Sequence, residues 1–156
     1  MVQPFEENSG WGFIYKLLAD EIPEVASGVI EIRAVAREPG VCSKVVLYSC
    51  DPLVDCIRSC LGERNRHMDH IAQQLGRERI DLIPWTDSPD TLIAWALVPA
   101  RIEQVALDYA KHQALITVTR EQLPIAIGRR GYNIELVHRL SGWPLSVKVV
   151  EDERSK

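Results

Sequence analysis

The chain has 156 residues, of which 46% are apolar and 26% are charged. This length suits one ordinary domain or two small ones and is too short for a large enzyme. The composition is that of a folded globule and not of a disordered chain. No apolar run approaches the ~18 residues of a membrane span, and the N-terminus lacks the pattern of a signal peptide. These features predict a cytoplasmic protein with no membrane partner.

The net charge of −4 argues against indiscriminate binding of nucleic acid. The charge is unevenly distributed, however. Residues 1–28 carry five acids against one base, residues 57–79 carry five bases against three acids, and residues 127–150 carry four bases against one acid. A local basic surface can therefore exist on an acidic protein, although an ordinary mixed surface fits the charge pattern equally well.

The first half of the chain predicts the order helix, strand, strand, helix, helix, strand. Apolar residues at helical spacing indicate a helix over residues 11–22, which Pro23 should stop. Residues 29–37 and 44–48 read as an antiparallel hairpin. Asp51-Pro52 opens a turn or a capped helix, and two amphipathic helices then end near Gly62 and Gly76. Residues 80–83 form the third strand.

The same order is predicted again in the second half. Ser88 is a candidate N-cap before Pro89, at the start of an apolar helix that Pro99 stops. Residues 105–107 and 115–118 form the next strand pair. Two short helices follow, the first with Pro124 in its opening turn and the second ended by Gly142. Alternating apolar residues predict a closing strand over 145–149.

The two halves indicate an internal duplication. The spacing from Gly62 to Gly76 is 14 positions, as is the spacing from Gly128 to Gly142. The offset of 66 also pairs Leu61 with Ile127, Arg64 with Arg130 and Ile71 with Val137. A fixed-period repeat is stronger evidence than any single motif. We therefore expect two domains, spanning residues 1–86 and 87–156.

The sequence Gly128-Arg129-Arg130-Gly131, here called the second loop, carries the clearest chemistry. Two glycines let a backbone approach closely, and the following helix offers free N–H groups at its positive end. The arginines add full positive charge. KH domains use such a GxxG loop between two helices to clamp about four nucleotides of single-stranded nucleic acid. The alternative is a plain helix-turn-helix corner that needs glycine for steric reasons.

The equivalent segment of the first half, here called the first loop, is Gly62-Glu63-Arg64-Asn65. Its second glycine is replaced by Asn65, which tolerates left-handed backbone angles, so that the turn can persist. The Asn side chain occupies space where a ligand backbone would approach, and Glu63 repels phosphate. This loop is therefore expected to be weakened and more structural than functional.

No catalytic motif is present, neither a phosphate-binding loop ending in Gly-Lys-Ser/Thr nor a G-x-S-x-G nucleophile. The sequence thus predicts a protein that is not an enzyme and needs no cofactor. Cys56, Cys60, His67 and His70 raise the alternative of a metal site. Their irregular spacing favours small buried thiols and surface histidines instead, so no metal is predicted.

Several stretches resemble the paired KH domains of the bacterial NusA transcription elongation and antitermination factors. They are residues 31–40, 48–52, 80–85, 126–133 and 139–143, and the similarity runs from about Ala19 to about Val150. The resemblance implies an α/β (α+β) fold of two tandem type II KH domains, each with a small three-stranded sheet and helices packed on one face. It implies single-stranded RNA as a partner, with RNA polymerase or other transcription factors as further partners.

The resemblance also assigns candidate RNA-binding residues. In the second half they are Ile127, Gly128, Arg129, Arg130, Gly131, Tyr132 and Asn133, and in the first half Gly62, Arg64, Asn65 and Arg66. Two departures from the family pattern matter. The family has both glycines in its first loop, and it has a polymerase-binding domain and an OB-type domain before the KH pair. A KH pair that docks a protein and has largely lost RNA binding is the alternative function.

Overall fold

The computed structural model describes residues 10–151, which divide into two units, one ending at Trp85 and the other beginning at Thr86. Each unit combines a three-stranded sheet with helices, so the predicted mixed α/β architecture with two small sheets is confirmed. Within the described residues, no helix is long and apolar enough to cross a membrane.

The first unit follows the predicted order, with one additional short helix. Its helices are α1 (Trp11–Glu21), α2 (Pro23–Ala26), α3 (Cys56–Leu61) and α4 (Arg66–Leu75), and its strands are β1 (Ile30–Glu38), β2 (Cys42–Ser49) and β3 (Arg79–Pro84). A single 3-10 turn, Glu63–Asn65, joins α3 to α4.

The second unit repeats this order without a counterpart of α2. Its helices are α5 (Pro89–Ala96), α6 (Leu123–Ile127) and α7 (Tyr132–Ser141), and its strands are β4 (Gln104–Asp108), β5 (Gln113–Thr119) and β6 (Leu145–Val150). The 3-10 turn Arg129–Gly131 joins α6 to α7.

Both sheets have the same topology. The strand orders are β1-β2-β3 and β4-β5-β6, with the first pair of each sheet antiparallel and the second pair parallel. A parallel pair needs a long crossover connection, which the two helices between its strands supply. The loop between those helices therefore lies in the crossover of each unit, and the sheet fixes both of its flanking helices.

Helices pack against the sheet to form the core of each unit. In the first unit, residues of α1, α3 and α4 meet those of β1 and β2 in one buried cluster, which includes Ile14, Leu18, Ile32, Leu47, Cys60 and Ile71. In the second unit, Val118 and Ala126 are fully buried in a smaller cluster. Burying one large aliphatic side chain contributes about 1.5–3 kcal/mol, so these clusters stabilise the loop-bearing helices.

The offset of 66 relates α3 and α4 to α6 and α7, and the bounds of β3 to those of β6, but the core-facing residues of these two closing strands do not correspond. Ile71 and Val137 are both fully buried, as the offset predicts. Ile80 packs against the first core, however, whereas Ser146 at the equivalent position is exposed and its neighbour Val147 is apolar and faces the second core. The two glycines that end α4 and α7 also differ, with ψ of −113° at Gly76 and 5° at Gly142.

Three local predictions hold, and the structure adds detail to each. Helix α1 ends at Glu21, directly before Pro23, and Pro23 then occupies the first turn of the separate helix α2 after a break at Ile22. Ser88 is the N-cap residue of α5, with Pro89 in the first turn as predicted, but its side chain makes no capping hydrogen bond. Asp55 caps α3, accepting bonds from the backbone N–H groups of Ile57 and Arg58, whereas Asp51 closes the turn before it.

Candidate nucleic-acid interface

The second loop is a tight turn in which Gly128, Arg130 and Gly131 have positive φ angles. Gly128 ends α6 with φ 77° and ψ 173°, and Gly131 opens α7 with φ 76° and ψ 11°. Between them Arg130 has φ 54°, a region that residues other than glycine enter at a cost of about 1 kcal/mol. The N–H of Gly131 donates to the carbonyl of Gly128 at 3.1 Å and closes the turn.

The two glycines of this loop are needed for different reasons. A Cβ atom at Gly128 would lie 2.6 Å from the Cβ of Asn133 and 2.9 Å from its backbone nitrogen. A Cβ atom at Gly131 would meet no atom within 4 Å. The first glycine thus permits close packing inside the protein. The second leaves the outer side of the turn open to a ligand backbone.

Positive charge is concentrated at this turn. Arg129 and Arg130 are both exposed, and within residues 10–151 neither forms an ion pair. The helix α7 begins at Tyr132, and no side chain caps its first N–H groups. The positive end of a helix without a side-chain cap, next to two guanidinium groups, is an arrangement that can accept the phosphates of a nucleic-acid backbone.

The residues flanking the second loop have different environments. Ile127 and Tyr132 are half-buried beside the turn, where part of each side chain is open to a ligand. Asn133 is only 5% exposed. Its Nδ2 donates to the carbonyls of Leu97 at 3.0 Å, Ala126 at 3.2 Å and Ile125 at 3.3 Å. The side chain of Asn133 therefore joins three helices from inside, away from the surface on which RNA would lie.

The first loop has nearly the same backbone as the second. Gly62 has φ 76° and ψ 170°, Arg64 has φ 55° and Asn65 has φ 60° and ψ 24°. The N–H of Asn65 donates to the carbonyl of Gly62 at 3.1 Å. The turn thus persists without its second glycine. Arg64 and Arg66 are exposed, but so is Glu63, and the loop is less basic than the second.

Family models recognise both halves of the chain. Residues 9–85 match the model described as NusA-like first KH domain, and residues 89–155 match the NusA-like second KH domain. The chain is a NusA-like tandem KH region. This result confirms the family and the fold that the sequence motifs indicated.

Relatives of known role support the family assignment. The chain is 39% identical over 135 residues to the transcription termination/antitermination protein NusA of Thermus thermophilus, covering 86% of this chain and 35% of that one. It is 34% identical over 143 residues to the NusA of Bacillus subtilis, covering 92% of this chain and 38% of that one. The KH region thus spans about a third of the length of these relatives.

A solved structure shares the fold at low sequence identity. The crystal structure of APE1850 has a TM-score of 0.58 and 17% identity to this chain, covering 86% of it and 96% of APE1850. At this identity the likeness concerns the fold alone.

The first KH domain has a buried polar cluster that sequence reasoning missed. Glu78 is 4% exposed and accepts from Arg37 Nε at 2.9 Å, Arg37 Nη2 at 2.8 Å, the Gly40 N–H at 3.0 Å and Ser43 Oγ at 2.6 Å. Burial alone would raise the pKa of Glu78, but these hydrogen bonds outweigh it and hold the pKa below its ordinary value. Arg37 lies 41 positions from Glu78, so local sequence gives no signal of the pair.

A second buried pair lies on neighbouring strands. Lys44 Nζ is 2.7 Å from the Asp81 carboxylate, and the Lys44 side chain is fully buried. Burial lowers the pKa of Lys44 despite the attraction of Asp81. Opposite positions on adjacent parallel strands bring the two together, as the register shows. These polar groups connect the strands of the first sheet and lie outside the loop that would bind RNA.

The metal alternative finds no support in the described residues. Residues 10–151 contain no group of three or more His, Cys, Asp or Glu side chains arranged to hold a metal ion. Both His67 Nδ1 and His70 Nδ1 lie 2.9 Å from Glu21 Oε1, and Cys60 is fully buried. All four cysteines are free thiols.

Proposed function

We propose that this NusA-like KH region binds single-stranded RNA and acts on nascent RNA in transcription elongation, termination or antitermination. The observation that carries the proposal is the second loop. It combines an open turn at Gly131, two exposed arginines without ion pairs in the described chain, and an uncapped helix N-terminus. These are the features with which KH domains hold a sugar-phosphate backbone.

Within this proposal, the second loop is the main RNA clamp and the first loop contributes less. Gly128 to Gly131 hold the backbone, and Ile127 and Tyr132 border the path of the bases. The weaker clamp consists of Gly62, Arg64, Asn65 and Arg66. It is weaker because Glu63 partly cancels the charge of the two arginines. Asn133 supports the second clamp from within, because its burial keeps the side chain away from RNA.

The wider role is also part of the proposal. The relatives are named for transcription termination and antitermination, and this chain matches about a third of their length. Association with RNA polymerase or with other transcription factors would place the clamp beside the emerging transcript. The proposed role is one of binding without catalysis, and it is exercised in the cytoplasm.

A direct titration tests RNA binding. The protein is titrated into labelled single-stranded RNA of about 12 nucleotides, long enough for two clamps of about four nucleotides each. Double-stranded RNA of the same length is the control. Binding to the single strand should weaken as salt rises from about 50 mM to about 200 mM, because phosphate contacts release counterions. Failure to bind the single strand at low salt would refute the proposal.

The second candidate function is docking of a protein partner by a KH pair that has largely lost RNA binding. Two observations favour it, the net charge of −4 and the first loop, where Asn65 projects from the position of a glycine. It predicts no preference for single-stranded over double-stranded RNA in the same titration. The exposed arginines of the second loop, which form no ion pair within residues 10–151, favour RNA.

A further inference from the structure

Positions 67 and 133 have the same structural role in the two KH domains. A Cβ atom at Gly62 would lie 2.5 Å from Cδ2 of His67, as one at Gly128 would lie 2.6 Å from Cβ of Asn133. Each residue packs behind the first glycine of its loop. Each also bonds to the end of the domain's first long helix, His67 to the last residue of α1 and Asn133 to the carbonyl of Leu97, which caps α5. Both residues thus hold a loop against the helix before it.

The two anchors differ in that the first can change its charge. His67 and His70 are both bonded through Nδ1 to a single oxygen of Glu21, at 2.9 Å each. These hydrogen bonds hold the pKa of Glu21 below its ordinary value, so its carboxylate stays ionised. A carboxylate accepts only, so each ring donates Nδ1–H and gains its second proton at Nε2. Asn133 has no such equilibrium.

The charges around this pair are balanced, so its protonation decides the local sign. The other charged residues on the surrounding elements are Lys16 and Asp20 in α1, Glu24 in α2, Arg58 in α3, Glu63 and Arg64 in the loop, and Arg66 and Asp69 in α4. Four are basic and four acidic, and within residues 10–151 none of them bonds to either ring. With Glu21 ionised, this region is net negative when both rings are neutral and net positive when both are protonated.

We propose that His67 is the positioning residue of the first loop, and that protonation of the His67 and His70 pair strengthens RNA binding at that loop. Two cations strengthen the bonds to Glu21 and add positive charge beside a loop that Glu63 weakens. The second loop, anchored by Asn133, should bind RNA equally well across the same pH range. This inference rests on the proposed RNA binding.

The test is RNA affinity as a function of pH in the whole chain. Oligouridylate carrying a pH-insensitive dye is titrated at about pH 5.5 and about pH 8, a range in which histidine changes charge, at equal ionic strength. The parent protein should bind about threefold to tenfold more tightly at the lower pH, the size expected for added charge beside a phosphate-binding loop.

Three variants assign the effect. His67→Asn with His70→Gln should lose the pH dependence, since Asn already serves this position in the second domain. Arg64→Asn with Arg66→Gln should lose it as well, because the effect acts through the first loop. His138→Gln removes an exposed histidine from α7 in the second domain, and it should keep the full dependence.

The outcomes separate this inference from the function on which it rests. A parent protein that binds RNA with the same affinity at both pH values overturns the inference and leaves the proposed function intact. A folded His67→Asn/His70→Gln variant that keeps the parent's pH dependence also overturns the inference and leaves the proposed function intact. If circular dichroism shows that this variant is unfolded, His70→Gln alone decides, and an unchanged pH effect overturns the inference. A parent that binds no RNA at either pH refutes the proposed function as well.

Discussion

Reversing the charge of the second loop should abolish most RNA binding and leave the fold intact. Arg129→Asp with Arg130→Asp changes the local charge by four units, and both side chains are exposed without an ion pair in the described chain. Each lost phosphate contact costs about 1 kcal/mol and each new repulsion a similar amount at most, so the total is about 2–4 kcal/mol. This corresponds to about 30-fold to about 1,000-fold in affinity. Asp tolerates the left-handed φ of 54° at position 130, so little stability should be lost.

The assay is an RNA titration at several salt concentrations, which yields a second quantity. Loss of two phosphate contacts should reduce the steepness of log affinity against log salt by about 1.4, since a single strand contributes about 0.7 per contact. Arg77→Asp with Lys111→Asp is the matched control, with the same charge change. Arg77 follows the C-terminal end of α4. Lys111 precedes His112, which bonds to Gly142 at the C-terminal end of α7. Both control residues therefore lie near the helix ends opposite to the two loops. A folded loop variant with the parent's affinity and salt dependence would show that the clamp is misassigned.

Three further results are expected. Arg64→Asn with Arg66→Gln should weaken RNA binding at neutral pH by about threefold or less, since the first loop is the weaker clamp; losses equal to those of the second loop in the same titration would contradict this. Gly131→Asn should lower the free energy of unfolding, measured in urea, by about 1 kcal/mol or less, and it should weaken RNA binding. Gly128→Ala should lower the free energy of unfolding by about 2–3 kcal/mol, because its Cβ has no room. Glu78→Gln should lower the free energy of unfolding by about 2–3 kcal/mol at neutral pH. That difference should shrink as pH falls below 4.5, the ordinary Glu pKa, because a carboxylate with a lowered folded pKa loses its stabilising contribution on protonation.

The duplication explains why so much of the fold was predictable from sequence. Alternating and helical periodicities identified each main helix and strand, and the repeat of glycines placed both loops between helices. The left-handed turn was predictable even at Asn65, whose residue type tolerates it. Helix ends were less predictable, because Asp51 and Asp55 are both competent caps and only the packed chain selects between them.

Contacts distant in sequence account for what remained hidden. Glu78 is one of three acids in the predominantly basic segment 57–79, and Arg37, from a strand 41 positions earlier, makes it a buried acceptor. Asn133 reads as part of the loop motif, and its burial depends on Leu97, 36 positions earlier. Which residues of β3 and β6 face the core depends on the backbone conformation at Gly76 and Gly142. The spacing of the glycines alone does not determine that conformation.

The arginines at the left-handed position of each loop argue for function over stability. Arg64 and Arg130 have φ of 55° and 54°, where glycine or asparagine would be about 1 kcal/mol less strained. Asn65 shows that this chain uses asparagine at the very next left-handed position. Both copies keep a strained backbone at an exposed arginine, which indicates a requirement for the side chain and not for the turn. A docking surface for an apolar partner has no need of such a residue, whereas a phosphate clamp does. The backbone strain at Arg130 therefore supports RNA binding at the second loop, and the strain at Arg64 supports residual RNA binding at the first loop.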